Sequence, residues 1–116
     1  MIAIKRAYEA ASKADGARFL VDRLWPRGVK KEDLAIKAWM KDASPSNELR
    51  KWYHHDPDQW DEFRRRYFAE LKENPEGWEP LLEAARDGAI TLVYSAKHED
   101  HNNAVALKEF LTKRLK

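Results

Sequence analysis

The sequence predicts one α/β domain over residues 1–116, built on a small, mostly parallel sheet of three to four strands flanked by helices. Three observations lead there. Residues 19–21 (Phe-Leu-Val) and residues 90–94 (Ile-Thr-Leu-Val-Tyr) are short apolar runs bounded by turn residues, the pattern of strands covered on both faces. Trp60, Phe63, Tyr67 and Leu71 recur at spacings of three and four, which describes a helix with one buried stripe. Strand and helix signals alternate along a chain of 116 residues, a length that holds a single core.

The elements follow in order. Residues 2–4 are a short apolar strand, and residues 8–13 a polar connection closed by the turn pair Asp15-Gly16. The second strand runs through Phe19, Leu20 and Val21 into Asp22-Arg23-Leu24-Trp25-Pro26-Arg27-Gly28, where the proline holds Trp25 extended and Gly28 permits a sharp turn. Lys30-Lys31-Glu32-Asp33 reads as a solvated loop or helical turn, and residues 36–40 as a shorter third strand holding Trp39. Ser44-Pro45 reads as a cap and first helical position, starting a short helix to about His54 with Leu49, Trp52 and Tyr53 on one face. His54-His55 is a loop, after which Asp56 and Pro57 repeat that grammar for the striped helix. Gln59 is placed for a capping-box-like pair, and Asp58, Asp61 and Glu62 complement the dipole. Successive helix residues diverge by about 100°, so Arg64, Arg65 and Arg66 do not make one flat patch. Asn74-Pro75 stops this helix. A further one over residues 78–86 buries Trp78, Leu81, Leu82 and Ala85, puts Pro80 in its first turn and closes at Gly88. The central strand comes next, Ser95-Ala96-Lys97 leave it, and residues 98–101 open a last helix. That helix turns Ala104, Leu107, Phe110, Leu111 and Leu115 inward, with Lys113, Arg114 and Lys116 at its negative end.

Composition excludes several classes of function. Charged residues make up 36%, but 43% hydrophobic content with five tryptophans is too much apolar surface to leave solvated, so the chain folds. A net charge of +2 supplies no field that would draw the whole molecule to a polyanion, so a basic site must be local. The absence of cysteine removes disulfides, thiolate metal sites and a cysteine nucleophile. No signal-peptide pattern and no membrane-spanning apolar run occur, which makes a cytoplasmic protein without membrane contact the expectation. The glycines at 16, 28, 77 and 88 are isolated, which argues against phosphate-loop and dinucleotide fingerprints, and no motif names a cofactor.

Several segments carry a family resemblance: Val21-Asp22-Arg23-Leu24-Trp25-Pro26-Arg27-Gly28, Pro45-Ser46 with Glu48-Leu49-Arg50-Lys51-Trp52, Phe63 with Tyr67 and Glu70-Leu71, and Tyr94-Ser95-Ala96 with His101-Asn102. Over nearly the whole chain these resemble the YeaO-like family, a domain-of-unknown-function family of bacterial and archaeal proteins. The resemblance implies a compact α/β fold and carries over no reaction, cofactor or catalytic residue. The chain departs from the family's pattern at Asn103, where members often have a second histidine, so a mechanism using two histidines there is not expected.

The charges at the end of the second strand are the first candidate site, because ligands of open α/β sheets bind at the carboxyl ends of strands. Arg23 and Arg27 could clamp an anion with Asp22 orienting them, since a guanidinium presents a two-point fork; the alternative is an internal ion pair, although one acid cannot neutralise both arginines. Trp25, beside that turn, could stack on a flat ligand. His101 near a strand end could move a proton or bond a ligand, or simply be structural. His98 and His101 could share a helix face, but no third ligand at a set spacing appears, so no metal site is expected. Ser46, with Ser44, could bind an anion or cap the helix; Lys97 and Asn102 could add a charge and hydrogen bonds. The leading expectation is therefore a small anionic, phosphate-bearing ligand. Asp22 and His101 fill catalytic roles if there is turnover, and Arg23, Arg27, Trp25, Ser46, Lys97 and Asn102 bind. A nucleic-acid module using Arg64, Arg65, Lys72, Lys108, Lys113 and Arg114 is the alternative, disfavoured by the acids among these bases. A protein-interaction subunit is a third reading, and the sequence leaves oligomeric state open.

Overall fold

The computed structural model describes residues 1–54 and 56–115, with the side chain of Pro57 excepted. Its strands are β1 (Ile2–Arg6), β2 (Ala17–Leu20), β3 (Ala38–Trp39) and β4 (Ile90–Tyr94); its helices are α1 (Lys31–Leu34), α2 (Asn47–Tyr53), α3 (Trp60–Glu73), α4 (Pro75–Asp87) and α5 (Asn103–Leu115). The four strands form one all-parallel sheet in the order β1-β4-β2-β3. β4 is central. Its residues pair with β1 from Ile2↔Ile90 to Arg6↔Tyr94 and with β2 from Ala17↔Ile90 to Leu20↔Val93.

Being central, β4 is buried along its whole length, which is why it reads as a continuous apolar run. On one face Phe19, Ile90, Leu92 and Tyr94 pack against α2, α3, α4 and α5 through Leu49, Tyr53, Phe63, Tyr67, Leu81, Leu107 and Phe110. On the other, Leu20 and Val93 meet Leu34 of α1, with Trp25, Val29, Ile36 and Trp39 completing a smaller cluster. The same second face holds a buried ion group: Arg18, 4% exposed, donates from Nη1 to Asp15 at 2.7 Å and from Nε to the Leu34 carbonyl, while Lys5 reaches Asp15 at 3.1 Å.

Four helix boundaries differ from the sequence expectation. Ser46, not Ser44, caps α2, accepting the Leu49 N–H at 3.1 Å, so Pro45 lies outside the helix; Ser44 closes a preceding 3₁₀ turn, Lys41–Ala43. Asp56 caps a 3₁₀ turn, Pro57–Gln59, that leads into α3 at Trp60, its carboxylate accepting the Asp58 N–H and its carbonyl the Gln59 N–H. Asn74 both ends α3 and precedes α4, which begins at Pro75; Pro80 therefore sits in the second turn, not the first. Its missing N–H is tolerated because Glu76 and Pro80 are on the exposed side, where water can satisfy the carbonyl. The His98–His101 segment is not helical: α5 starts only at Asn103, because fully buried Asn102 accepts the Val105 N–H at 3.0 Å and sets the cap there. No helix among the described residues is long and apolar enough to cross a membrane.

Candidate functional site

The parallel order brings the carboxyl ends of β2 and β4 side by side, directly before α5. A cleft of about 300 Å³ opens there. Asp22, Arg23 and Leu24 line it from the end of β2, Ser95 and Ala96 from the end of β4, and Asn103 from the start of α5. Pro45, then Arg50, Tyr53 and His54 at the end of α2, and Phe63 of α3 form the opposite wall.

Asp22 is the knot of the floor. Its Oδ2 accepts the Ser95 N–H at 2.9 Å and the Ser95 hydroxyl at 2.7 Å, and its Oδ1 accepts Asn103 Nδ2 at 3.1 Å. Asn103 Nδ2 also donates to the Val21 carbonyl at 3.0 Å, and Trp39 Nε1 to the Asp22 carbonyl at 2.7 Å. Asp22 therefore ties β2 to β4 and α5 and forms no ion pair with Arg23 or Arg27, so neither the internal ion pair nor an acid steering two arginines describes its contacts.

Arg23 is anchored through one nitrogen. Its Nε donates to the Pro45 carbonyl at 3.1 Å, and the two terminal nitrogens have no partner among the described residues. Neither is buried, so both remain available. Arg23 stands between this cleft and a second one lined by Asp42, Ser44, Ser46, Glu70, Glu73 and Asn74. Across the first cleft, Tyr53 stacks on Phe63 at 4.2 Å and donates its hydroxyl to the His101 carbonyl at 3.1 Å. Burial, and then the Asp56 charge, push the Tyr53 phenol up to about 12, so it stays protonated at neutral pH.

The remaining sequence candidates lie elsewhere. Arg27 is exposed on the turn and outside the cleft, its carbonyl accepting the Tyr8 hydroxyl at 3.1 Å. Trp25 donates Nε1 to the Val29 carbonyl and sets its edge against Trp39 in the smaller cluster, with no face open to the cleft. His101 stacks on Trp60 at 4.9 Å and does not line the cleft. Ser46 is held by Glu70, which accepts its N–H at 2.9 Å and its hydroxyl at 2.6 Å. Asn102 donates to the His98 carbonyl at 2.7 Å while capping α5, and Lys97 is exposed. Of the eight candidates, Asp22 and Arg23 share the cleft. Among the described residues no three His, Asp or Glu side chains are grouped to hold a metal ion.

The bases of the nucleic-acid alternative are largely engaged with neighbours. Arg64 pairs with Glu109 and, at 3.6 Å, Asp61; Lys113 stands 3.7 Å from Glu109; Arg114 lies over the Phe110 ring at 3.5 Å. Arg65 and Arg66 both bond Glu62, and those hydrogen bonds hold its carboxyl down at about 2.

The sequence pattern does not by itself mark Ser95, Asn103, Arg50, Tyr53 and His54 as site residues. Ser95 carries the same signal as Asp22, being polar and directly after an apolar strand. Arg50, Tyr53 and His54, spaced three and four apart, mark one face of a helix end.

Over residues 1–116 the chain matches the family described as the inactive DUF488-N3 subclade. It is 44% identical over 110 residues to the uncharacterised protein YeaO of Escherichia coli, covering 95% of this chain and 96% of that one. It is 39% identical over 113 residues to an uncharacterised protein of Mycobacterium tuberculosis, covering 97% and 95%. No solved structure matches. A match across every residue and identity at this level over nearly both full lengths place the chain in the YeaO-like family of the DUF488-N3 subclade.

Proposed function

We propose that this protein binds a small anionic ligand, phosphate- or carboxylate-bearing, in the cleft at the ends of β2 and β4, and holds it without turnover. The observation that carries this is Arg23: one nitrogen fixes the guanidinium to the Pro45 carbonyl, which orders the side chain, and the two terminal nitrogens are left for a two-point contact. Arg50 adds a second cation in the wall, and α5 starts at the cleft with its positive end. The stacked rings of Tyr53 and Phe63 supply an apolar flank. Binding without chemistry is favoured because the Asp22 carboxylate already accepts three hydrogen bonds that fasten β2 to β4 and α5, so it is committed to the fold rather than turned to a ligand. The word inactive in the family's description is consistent with that reading.

The test is calorimetric titration with phosphate, pyrophosphate and small carboxylates, on the native chain and on Arg23→Gln checked for native circular dichroism. Binding that weakens about tenfold or more in the variant is expected, the loss of a charge-assisted pair. No anion bound, or equal binding to the variant, refutes the proposal.

A further inference from the structure

The hydrogen-bond inventory of the cleft floor says more about the ligand than its charge. Asn103 has two amide hydrogens, and both are committed, one to the Val21 carbonyl at 3.0 Å and one to Asp22 Oδ1 at 3.1 Å. The reversed amide would set its oxygen against two acceptors, so the orientation is fixed by chemistry. That leaves Asn103 Oδ1, on a residue lining the cleft, without a partner among the described residues. Ser95 is placed in the same way. An ionised carboxylate only accepts, so the Ser95 hydroxyl hydrogen points to Asp22 at 2.7 Å, and the oxygen offers the cleft only lone pairs. Asp22 thus converts two ambivalent side chains into a pair of acceptors, beside the donors of Arg23.

We infer that the ligand of this cleft is an anion that also donates a hydrogen bond: its negative group meets Arg23, and a hydroxyl or amide N–H meets Asn103 Oδ1 and Ser95 Oγ. This rests on the anion-binding reading and narrows it to hydroxy-acid or acylamino-acid chemistry and the phosphorylated equivalents. An anion presenting only acceptors leaves both oxygens facing lone pairs and loses discrimination.

Matched probes in which a methyl replaces the donated hydrogen test it on the native chain: lactate against 2-methoxypropionate, mandelate against α-methoxyphenylacetate, and N-acetylglycine against N-acetylsarcosine. Affinities and sites are read by amide-proton NMR titration. The donor-bearing member of a pair is expected to bind about fivefold tighter or better and to shift the Asn103 side-chain amide and the Ser95 backbone amide. A protein that binds phosphate through Arg23 yet prefers no donor-bearing member overturns this inference and leaves the anion reading standing. A protein that binds no anion overturns both.

Discussion

Replacing Asp15 by asparagine removes a charge from the buried ion group packed under the sheet while keeping the side chain's shape. Asp15 accepts from Lys5 Nζ, Arg18 Nη1 and both the N–H and hydroxyl of Ser12. Arg18 is 4% exposed and its Nη2 already lacks a partner, so without the carboxylate it keeps only the Leu34 carbonyl. Breaking a buried pair by removing one member costs several kcal/mol because the other charge stays uncompensated. Since asparagine retains an acceptor for Ser12, about 3 kcal/mol is expected for Asp15→Asn. At the unfolding entropy usual for a chain of this length, that lowers Tm by roughly 12 °C. The pH dependence gives a second reading. Burial alone would raise the Asp15 carboxyl, but the Ser12, Lys5 and Arg18 hydrogen bonds together hold it at about 2, below its ordinary 3.8. A depressed folded-state pKa stabilises fully above the unfolded value and is lost as pH falls toward the folded one, so the native chain should lose this contribution between about pH 4 and pH 2. Chemical denaturation of native and variant chains across that range measures it, and their difference cancels other acids such as Glu62. The double variant Asp15→Asn with Arg18→Met should recover most of the loss, because it also removes the buried Arg18 charge and leaves only Lys5, whose side chain is 20% exposed and reaches water, without its carboxylate. A loss below about 1 kcal/mol for the single variant, or a native–variant difference constant from pH 4 to pH 2, refutes the reasoning.

Two further substitutions test the frame that positions the cleft. Gly16→Ala is expected to destabilise by roughly 3 kcal/mol in urea melts: Gly16 has φ +64°, and a Cβ there would stand 2.2 Å from the Ala89 carbonyl oxygen. Asn102→Ala should cost about 1–2 kcal/mol by removing the α5 cap, and hydrogen exchange should quicken at the Val105 N–H first; unchanged exchange there would show that Asn102 does not hold the helix start.

Much of the fold was legible because burial writes itself into residue order. β4 is covered on both faces and so reads as unbroken apolar sequence, while Phe63, Tyr67 and Leu71 keep the helical spacing that their shared contact with the sheet requires. The boundaries that moved did so through single hydrogen bonds. Ser44 and Ser46 are equally good caps as letters, and the difference is that Glu70, 24 residues away, grips Ser46. Asn102 delays α5 past two histidines because its carboxamide is buried and must be satisfied locally. Half of the cleft was visible as a charged strand end. The other half comes from β4, α2 and α5, and which side chains meet there depends on a strand order that local pattern does not encode.

Position at a strand end also does not distinguish a ligand contact from a fastening. Asp22 and Arg23 are adjacent in sequence and in the same cleft, yet their hydrogen bonds assign them opposite duties. Asp22 is used up inward, on a backbone amide, a hydroxyl and a carboxamide from two other elements. Arg23 is fixed at one nitrogen and open at the others. The same accounting separates Arg27, an equally good anion ligand as a letter, which does not line the cleft: it follows the turn outward, where only its carbonyl is engaged. A charged residue at a sheet's edge becomes a candidate ligand contact when the protein has ordered it without exhausting its donors, and in this cleft Arg23 meets that condition.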